Sequence, residues 1–355
     1  MRQTFRLFTF DLVGISSLII PTYLARIAGC DGLFCILIGG AAGILYLALL
    51  GAAGHGMNTD IGTYMKTYLP AWLRSGILIW LGIHCILIAG FCTYVFATLV
   101  QQSLIKKENY MLIVLVILAL SAYSVSGGME SRARSYEVLF WFVFLPLILM
   151  LLAGVREMEP VYLTPMAQTS LWQIAKGSYV VFIFLELVFW MLFFPRYVHP
   201  DKAKKGLIGT VCGAVLFTIV LLFAMYVILL GNFGDKALAQ MDFPAVTLMS
   251  TVPIAGDFIK RLDAVMLGIW FFTLLALLNL HIFYGVEMCR SLVEIKGQKK
   301  YIAFVLALVL GVTLLFAYQT KSTRNWFFGY ICYAGAPFLA VMPFAVLLIG
   351  RWRKT

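Results

Sequence analysis

Charged residues are scarce in this sequence. Only 12% of its 355 residues are Asp, Glu, Lys or Arg, while 62% are hydrophobic; soluble domains average about 25% and about 45–50%. A soluble chain could not bury so much apolar surface, so lipid must be its solvent. The composition excludes a soluble globular protein and predicts an integral membrane protein that contacts the lipid bilayer.

Residue types that catalyse reactions or bind metals are also scarce. The four histidines lie in four separate regions, and the seven cysteines form no Cys-x-x-Cys pair. Membrane enzymes need clustered metal ligands, or a nucleophile beside a base. We therefore predict that the protein is not an enzyme and has no cofactor, metal site or disulfide framework. Its net charge of +11 comes from Lys and Arg in short loops, which favours anionic lipid headgroups as the contact and not nucleic acid.

Long apolar runs predict ten transmembrane helices in one integral membrane domain over residues 1–355. A run of about 17–25 apolar residues spans a bilayer, and it must be helical because lipid leaves an open strand edge without partners. The fold class is therefore an all-α polytopic membrane protein. The predicted helices cover residues 7–25, 33–53, 76–105, 111–129, 138–155, 177–195, 206–234, 264–286, 301–320 and 326–350.

The distribution of Lys and Arg predicts the orientation. If the N-terminus is cytoplasmic, most of these cations fall in cytoplasmic connections, chiefly at 196–205, at 290–300 and in the 351–354 tail. Arg132 and Arg134 add to the same side, in the loop before the fifth helix. Because cytoplasmic loops are enriched in Lys and Arg, we predict that both termini are cytoplasmic.

Two acidic residues lie inside long apolar segments, at similar places in the two halves of the chain. Asp11 begins Asp-Leu-Val ahead of Pro21, and Glu186 begins Glu-Leu-Val ahead of Pro195. Five helices per half is an odd number, so related halves would have opposite orientations, which predicts a five-plus-five inverted repeat. A carboxylate in hydrocarbon is a functional-site candidate. Asp11 is close enough to the predicted cytoplasmic boundary that a merely interfacial acid is an equal alternative.

The first helix contains the residues that permit a break. Gly14, Ser16 and Ser17 precede Pro21; glycine tolerates non-helical torsions, serine can bond freed backbone groups, and proline removes a donor. A break would expose N–H groups that could bind a carboxylate. The alternative is a mildly kinked helix whose serines bond back to their own turn.

In the sixth predicted helix, Glu186 is placed near the centre and shares a face with Phe182. We predict that these two side chains belong to a ligand pocket. The alternative is a neutral Glu186 that bonds a backbone carbonyl and serves structure alone. His84 and His281 are better explained as hydrogen-bonded between helices than as catalytic.

Three stretches carry a family resemblance. The sequences are Phe10–Ser17 through Pro21 with Ala28–Asp31, then Gly177–Arg196 with Phe184-Leu185-Glu186-Leu187, then Phe243–Val246 with Gly256–Asp263. They resemble the spore germination permease family, the B subunit of nutrient germinant receptors, within the amino acid–polyamine–organocation superfamily. The likeness covers essentially the whole chain. It departs at Leu33, where the family often has an aromatic residue.

The resemblance implies a fold like that of the leucine transporter. A small nutrient, an amino acid in the first instance, would bind at the midplane between broken helices one and six, with helices three and eight as walls. Gly14, Ser16, Ser17, Phe182 and Glu186 are the ligand-binding residues that it suggests. It also implies A- and C-type receptor subunits as partners and a location in the spore inner membrane or bacterial cell membrane. A proton-coupled amino acid permease that transports its ligand is the alternative function.

Overall fold

The computed structural model of the protein describes residues 1–54, 59–103, 109–197, 200–251, 262–294, 297–318 and 320–352, which form helices and turns with no strand. The α-helices are α1 Arg2–Ala28, α2 Gly32–Ala53, α3 Ile61–Tyr68, α4 Ala71–Ser103, α5 Tyr110–Ser126, α6 Gly128–Gly154, α7 Leu171–Leu185, α8 Pro200–Leu238, α9 Pro244–Thr251, α10 Leu262–Leu292, α11 Gln298–Tyr318, α12 Thr320–Tyr330 and α13 Ala336–Trp352.

Eight segments of these described residues are long and apolar enough to cross a membrane. The first, Ser16–Ala53, runs through the turn Gly29–Asp31 and so contains parts of both α1 and α2. α5 is apolar but has only 17 residues. The prediction of an all-α protein with membrane-spanning helices is confirmed, whereas ten crossings and an inverted repeat stay predictions.

Helix α1 lies at the centre of the fold and packs against α6, α7, α8 and α10, while α4 packs against α5, α10 and α11. Helix α2 packs on α7 and α8. Glycine allows the closest of these approaches: a Cβ added at Gly39 of α2 would lie 2.4 Å from the carbonyl oxygen of Ser178 on α7. Small residues bring membrane helices together in this way.

Helix α6 begins at Gly128, ten residues before the start predicted for the fifth span. Its added turns contain Arg132, whose side chain is buried at 3% exposure. The assignment of Arg132 to the loop before the fifth helix is therefore wrong. A hydropathy search ends a predicted membrane span at a charged residue. A cation that pairs with a buried carboxylate can nevertheless lie inside the protein.

The chain departs from regular α-helix after α7 and after α12. After α7 the chain continues as a 3-10 helix over Glu186–Tyr197, and a π-helical turn over Ile331–Gly335 separates α12 from α13. Runs of 3-10 helix longer than about four residues are uncommon, and both kinds of irregularity often mark functional sites. These two segments border the same cavity.

The connection between α8 and α10 contains a short helix, α9, over Pro244–Thr251. It begins directly after Phe243, where the apolar stretch 243–248 argues against a solvated loop. The family-like stretch Gly256–Arg261 lies outside the described residues.

Candidate functional site

The serines of α1 are used inside their own helix. Ser16 Oγ donates to the carbonyl oxygens of Leu12 (2.5 Å) and Val13 (3.1 Å), and Ser17 Oγ donates to that of Gly14 (3.0 Å). Helix α1 is continuous over Arg2–Ala28, with Pro21 inside it. The predicted break in helix one is therefore wrong: the hydroxyls bond back to the preceding turn and the helix continues past the proline.

Gly14 and Ser17 face α10. A Cβ at Gly14 would lie 2.7 Å from the carbonyl oxygen of Thr273, and Trp270 Nε1 donates to Ser17 Oγ over 3.2 Å. The two helices thus touch through backbone at residue 14 and through a buried hydrogen bond at residue 17. In the structure this face of α1 holds α10 in place.

The sixth predicted helix does change its form at the expected place. The α-helix ends at Leu185, and Glu186 is the first residue of the 3-10 segment. The side chain of Glu186 lies outside the described part of the structure. Phe182 is half-buried and packs edge-on against Tyr46 of α2, with ring centroids 5.6 Å apart. Phe182 and the α1 serines therefore contact different helices.

A central cavity of about 70 Å³ adjoins this change of helix type. About 10–15 Å³ on this scale holds one water, so the cavity admits a molecule of several heavy atoms. The third and eighth predicted helices supply part of its wall, as α4 and α10, and the described lining includes no α1 residue. The lining residues are His84, Ile88, Phe91, Ile183, Phe184, Leu187, Leu277, His281, Phe327, Phe328, Ile331 and Cys332.

Two histidines give this apolar cavity its polar groups. His281 Nδ1 lies 2.9 Å from the carbonyl oxygen of Leu277, and because a carbonyl can only accept, Nδ1 carries the hydrogen. The acceptor nitrogen Nε2 is buried with no hydrogen-bond partner in the described structure. His84 Nδ1 is 3.0 Å from the hydroxyl of Tyr330, and its ring stacks on Trp80.

His84 is hydrogen-bonded between helices as expected, but the same expectation is wrong for His281, which bonds to Leu277 in its own helix. Both histidines also line one cavity, which the sequence did not predict. A free acceptor on His281 could bind an ammonium or hydroxyl group of a ligand. Among the described residues no cluster of three His, Cys, Asp or Glu side chains could hold a metal ion.

An aromatic pair divides the central cavity from an upper cleft, on the side where α1 ends. Phe91 and Phe328 line both spaces and meet edge to face, with centroids 5.8 Å apart. The upper cleft has a volume of about 120 Å³ and includes Thr22, Arg26 and Asp242 in its wall.

A second aromatic pair lies below the cavity. Trp190 contacts His281 edge-on at 6.3 Å and stacks on Tyr284 at 4.2 Å. Tyr284 in turn lines a lower cleft of about 400 Å³, on the side where α1 begins, together with residues of α3, α4 and the end of α10. Stacked or edge-packed rings therefore lie between the central cavity and both clefts.

Asp11 and Arg132 form a buried ion pair next to this assembly. Arg132 Nη2 donates to the Asp11 carboxylate and to the carbonyl oxygen of Ala276 (3.3 Å), and Nε donates to Tyr136 Oη (3.1 Å). Asp11 is 2% exposed. Asp11 is therefore buried within the protein, and the pair joins α1, α6 and α10.

Sequence comparisons agree with this architecture. A family model described as "Spore germination protein" matches residues 1–325. Spore germination protein A2 of Bacillus subtilis (strain 168) is 23% identical over 97% of this chain and 93% of its own length. Spore germination protein B2 of the same organism is 24% identical, over 99% and 95%.

The structure comparison finds a transporter fold. A chain from a substrate-bound, outward-open Na+-coupled sialic acid symporter superimposes with a TM-score of 0.66, covering 98% of this chain and 78% of that one. The two sequences are 11% identical, so the likeness concerns the fold and not the substrate. The family match over most of the chain, the full-length relatives and the membrane helices lead to one conclusion: the protein belongs to the spore germination protein family.

Proposed function

We propose that this chain is the permease-like subunit of a nutrient germinant receptor and that it binds a small nutrient in the central cavity. The observation that carries the proposal is the apolar cavity, lined by two buried histidines, at the point where α7 becomes a 3-10 helix. The germination relatives support the biological role. The spore inner membrane or cell membrane, with a cytoplasmic lower side, is the proposed location.

An amino acid with a small neutral side chain fits the chemistry of the cavity. Phe184, Leu187 and Leu277 offer apolar contact, and His281 Nε2 offers one acceptor. Glu186 lies in sequence between two of these lining residues, and its carboxyl group is the proposed partner of the ligand's amine.

The α1 residues have a different proposed role. Gly14, Ser16 and Ser17 keep α1 continuous and close to α10, and Phe182 holds α7 against α2. They would influence ligand binding through the positions of these helices. A nutrient that binds one arrangement of the helices more tightly than another shifts the population of the receptor, and A- and C-type subunits would transmit that shift.

Ligand-dependent stability of the purified full-length protein in detergent tests the binding site. Amino acids, sugars and nucleosides would be compared, since a ligand at 100 Kd raises stability by about 2.7 kcal/mol. Glu186→Gln and the cavity-filling Leu277→Trp should both abolish the stabilisation. The matched control is Glu159→Gln, which makes the same chemical change at an exposed site. Stabilisation that survives both cavity variants would contradict this site.

A proton-coupled amino acid permease is the second candidate. The arrangement that favours it is a cavity with aromatic rings between it and a cleft on either side, a layout compatible with alternating access. It predicts pH-driven uptake of the ligand into liposomes that is lost in Glu186→Gln. Binding without uptake, together with spores that lose a nutrient response when this chain is deleted, would favour the sensor. Spores whose response to every nutrient is unchanged would contradict it.

A further inference from the structure

The lower cleft contains more cationic than anionic side chains. It lies between α3, the first turn of α4, the end of the 3-10 segment and the end of α10, and it has a volume of about 400 Å³. The cationic lining residues are Lys66, Arg74, Arg196 and Arg290, and the anionic ones are Asp60, Glu287 and Glu294.

Two of the three carboxylates already have partners. Glu287 accepts from Arg196 Nη1 at 3.3 Å and from Arg290 Nη1 at 3.0 Å. Asp60 caps the start of α3, where its carboxylate accepts from the N–H (3.2 Å) and the hydroxyl (2.7 Å) of Thr63. One carboxylate thus serves two arginines, and another is committed to a helix cap.

Lys66 and Arg74 remain without a carboxylate. No ion pair involves either side chain within the described ranges of the chain, and Glu294, the third carboxylate, is exposed at the end of the cleft. Lys66 is in α3 and is itself exposed, so it reaches the cleft from the solvent side.

Arg74 is the more informative of the two cations. Its Nε is buried and has no acceptor in the described structure. The residue lies in the first turn of α4, where the helix dipole is positive and no acidic residue compensates it. A nearby anion stabilises a guanidinium in this position. The unpaired Nε and the positive end of the helix therefore both favour an anion beside Arg74.

We propose that the lower cleft binds a phosphate group between Arg74 and Lys66. Arginine matches the oxygens of phosphate with its planar fork, and lysine adds a mobile charge. The volume falls within the range of about 300–1,000 Å³ typical of ligand pockets. The phosphate can belong to a free phosphate compound or to the headgroup of an anionic lipid, because both present the same oxygens. This site is separate from the central cavity, since Tyr284 and Trp190 lie between them.

Melting of the purified full-length protein in a zwitterionic detergent tests the proposal without any nutrient. Inorganic phosphate is titrated against chloride at equal ionic strength, and dihexanoyl phosphatidylglycerol is titrated against dihexanoyl phosphatidylcholine. We expect saturable stabilisation by phosphate, by the anionic lipid or by both. Lys66→Gln and Arg74→Gln should each weaken the apparent affinity by about tenfold or more, a loss of the size expected for a charged contact. Lys299→Gln removes the same charge from an exposed position outside the cleft and should leave the affinity unchanged.

The two arms distinguish the sources of the phosphate. Stabilisation by inorganic phosphate identifies a site for free phosphate compounds, and stabilisation by phosphatidylglycerol alone identifies a headgroup site. No saturable effect from either probe would overturn the proposal, as would an equal loss in Lys299→Gln. If Arg74→Gln unfolds at a low temperature, Lys66→Gln still tests the site, because Lys66 is exposed and its substitution should not disturb the fold.

Discussion

The indole ring of Trp190 lies flat against the phenol ring of Tyr284, with ring centroids 4.2 Å apart and 14° between the planes. Both side chains are nearly fully buried, at 1% and 2% exposure. Trp190 is in the 3-10 segment and Tyr284 is in α10, so the stack joins the irregular segment after α7 to α10. It also lies between the central cavity and the lower cleft.

Removing this stack should open the central cavity toward the lower side. We expect Trp190→Ala to raise severalfold the rate at which a water-soluble maleimide labels a cysteine placed at Leu277, in a background without the seven native cysteines. Leu277 lines the cavity and is 1% exposed, so it should react slowly while the stack is intact. Labelling rates of the detergent-solubilised proteins measure the effect.

The control for the stack is Trp141→Ala, which removes an indole that is 59% exposed on α6. It should leave the labelling rate at residue 277 unchanged. Equal labelling in Trp190→Ala and Trp141→Ala would show that the Trp190–Tyr284 contact does not close the cavity.

Breaking the buried ion pair should cost much more stability than breaking a surface pair. Asp11→Asn leaves the Arg132 charge buried without its counterion, which typically costs about 3–5 kcal/mol. Replacing both residues, as in Asp11→Asn with Arg132→Met, should recover a large part of this loss because no lone charge remains. A double-mutant cycle on the unfolding free energy in detergent measures the coupling.

Glu130 and Arg134 provide the comparison pair on the same helix as Arg132. Their side chains are 78% and 72% exposed, and pairs of this kind contribute about 0.3–0.5 kcal/mol. Glu130→Gln should therefore change the unfolding free energy little. If Asp11→Asn is equally mild, the ion pair does not stabilise the fold.

Much of the fold could be predicted from hydropathy alone, because lipid requires helices and allows few charges. The same rule led to the wrong placement of Arg132 in a loop. A search for uncharged runs begins the fifth span at residue 138, whereas α6 begins at Gly128 and contains Arg132. The informative signal was Asp11, since an ionised acid in an apolar segment is stabilised by a buried cation. Which cation it meets is decided by how α1 packs on α6, and one sequence does not contain that information.

The site could be predicted only in part. The change of helix type at Glu186 was expected from the family resemblance. The break in the first helix, expected from residue types, was not found, because Gly, Ser and Pro are also compatible with a kinked continuous helix. Gly14 was chosen for its torsional freedom, whereas the structure uses its missing Cβ. His84 and His281 are far apart in sequence, and they share a cavity because α4 packs along α10.

The close approach of α1 to α10 predicts that Gly14 tolerates no side chain. In Gly14→Ala the new Cβ would meet the Thr273 carbonyl oxygen at 2.7 Å, and this atom belongs to backbone that cannot rotate away. We expect a loss of about 1–3 kcal/mol, as for other overpacked sites. Gly209→Ala is the matched control, because nothing lies within 4 Å of its Cβ. It should be neutral or gain up to about 1 kcal/mol from helix propensity, and equal melting of the two variants would contradict the close approach.

Asp31 should anchor the connection between α6 and α7. Its buried carboxylate accepts the backbone N–H groups of Ala167 (2.5 Å), Gln168 (3.0 Å) and Thr169 (2.8 Å). Asp31→Asn removes the charge and turns one acceptor into a donor, so we expect a loss of at least about 2 kcal/mol, since hydrogen bonds to charged groups contribute about 1.5–3 kcal/mol each. Limited proteolysis should then cleave the chain between α6 and α7.

The control for the anchor is Asp235→Asn, at a residue whose carboxylate accepts from the adjacent N–H of Lys236 at 2.8 Å. A bond to the next residue in the chain ties no distant segments together, so this substitution should leave the connection resistant to protease. Resistance in Asp31→Asn as well would mean that the three N–H groups do not depend on the carboxylate. Cleavage confined to Asp31→Asn would instead show that one acid at the end of α1 fixes the segment that leads into α7, and with it the start of the helix whose far end borders the central cavity.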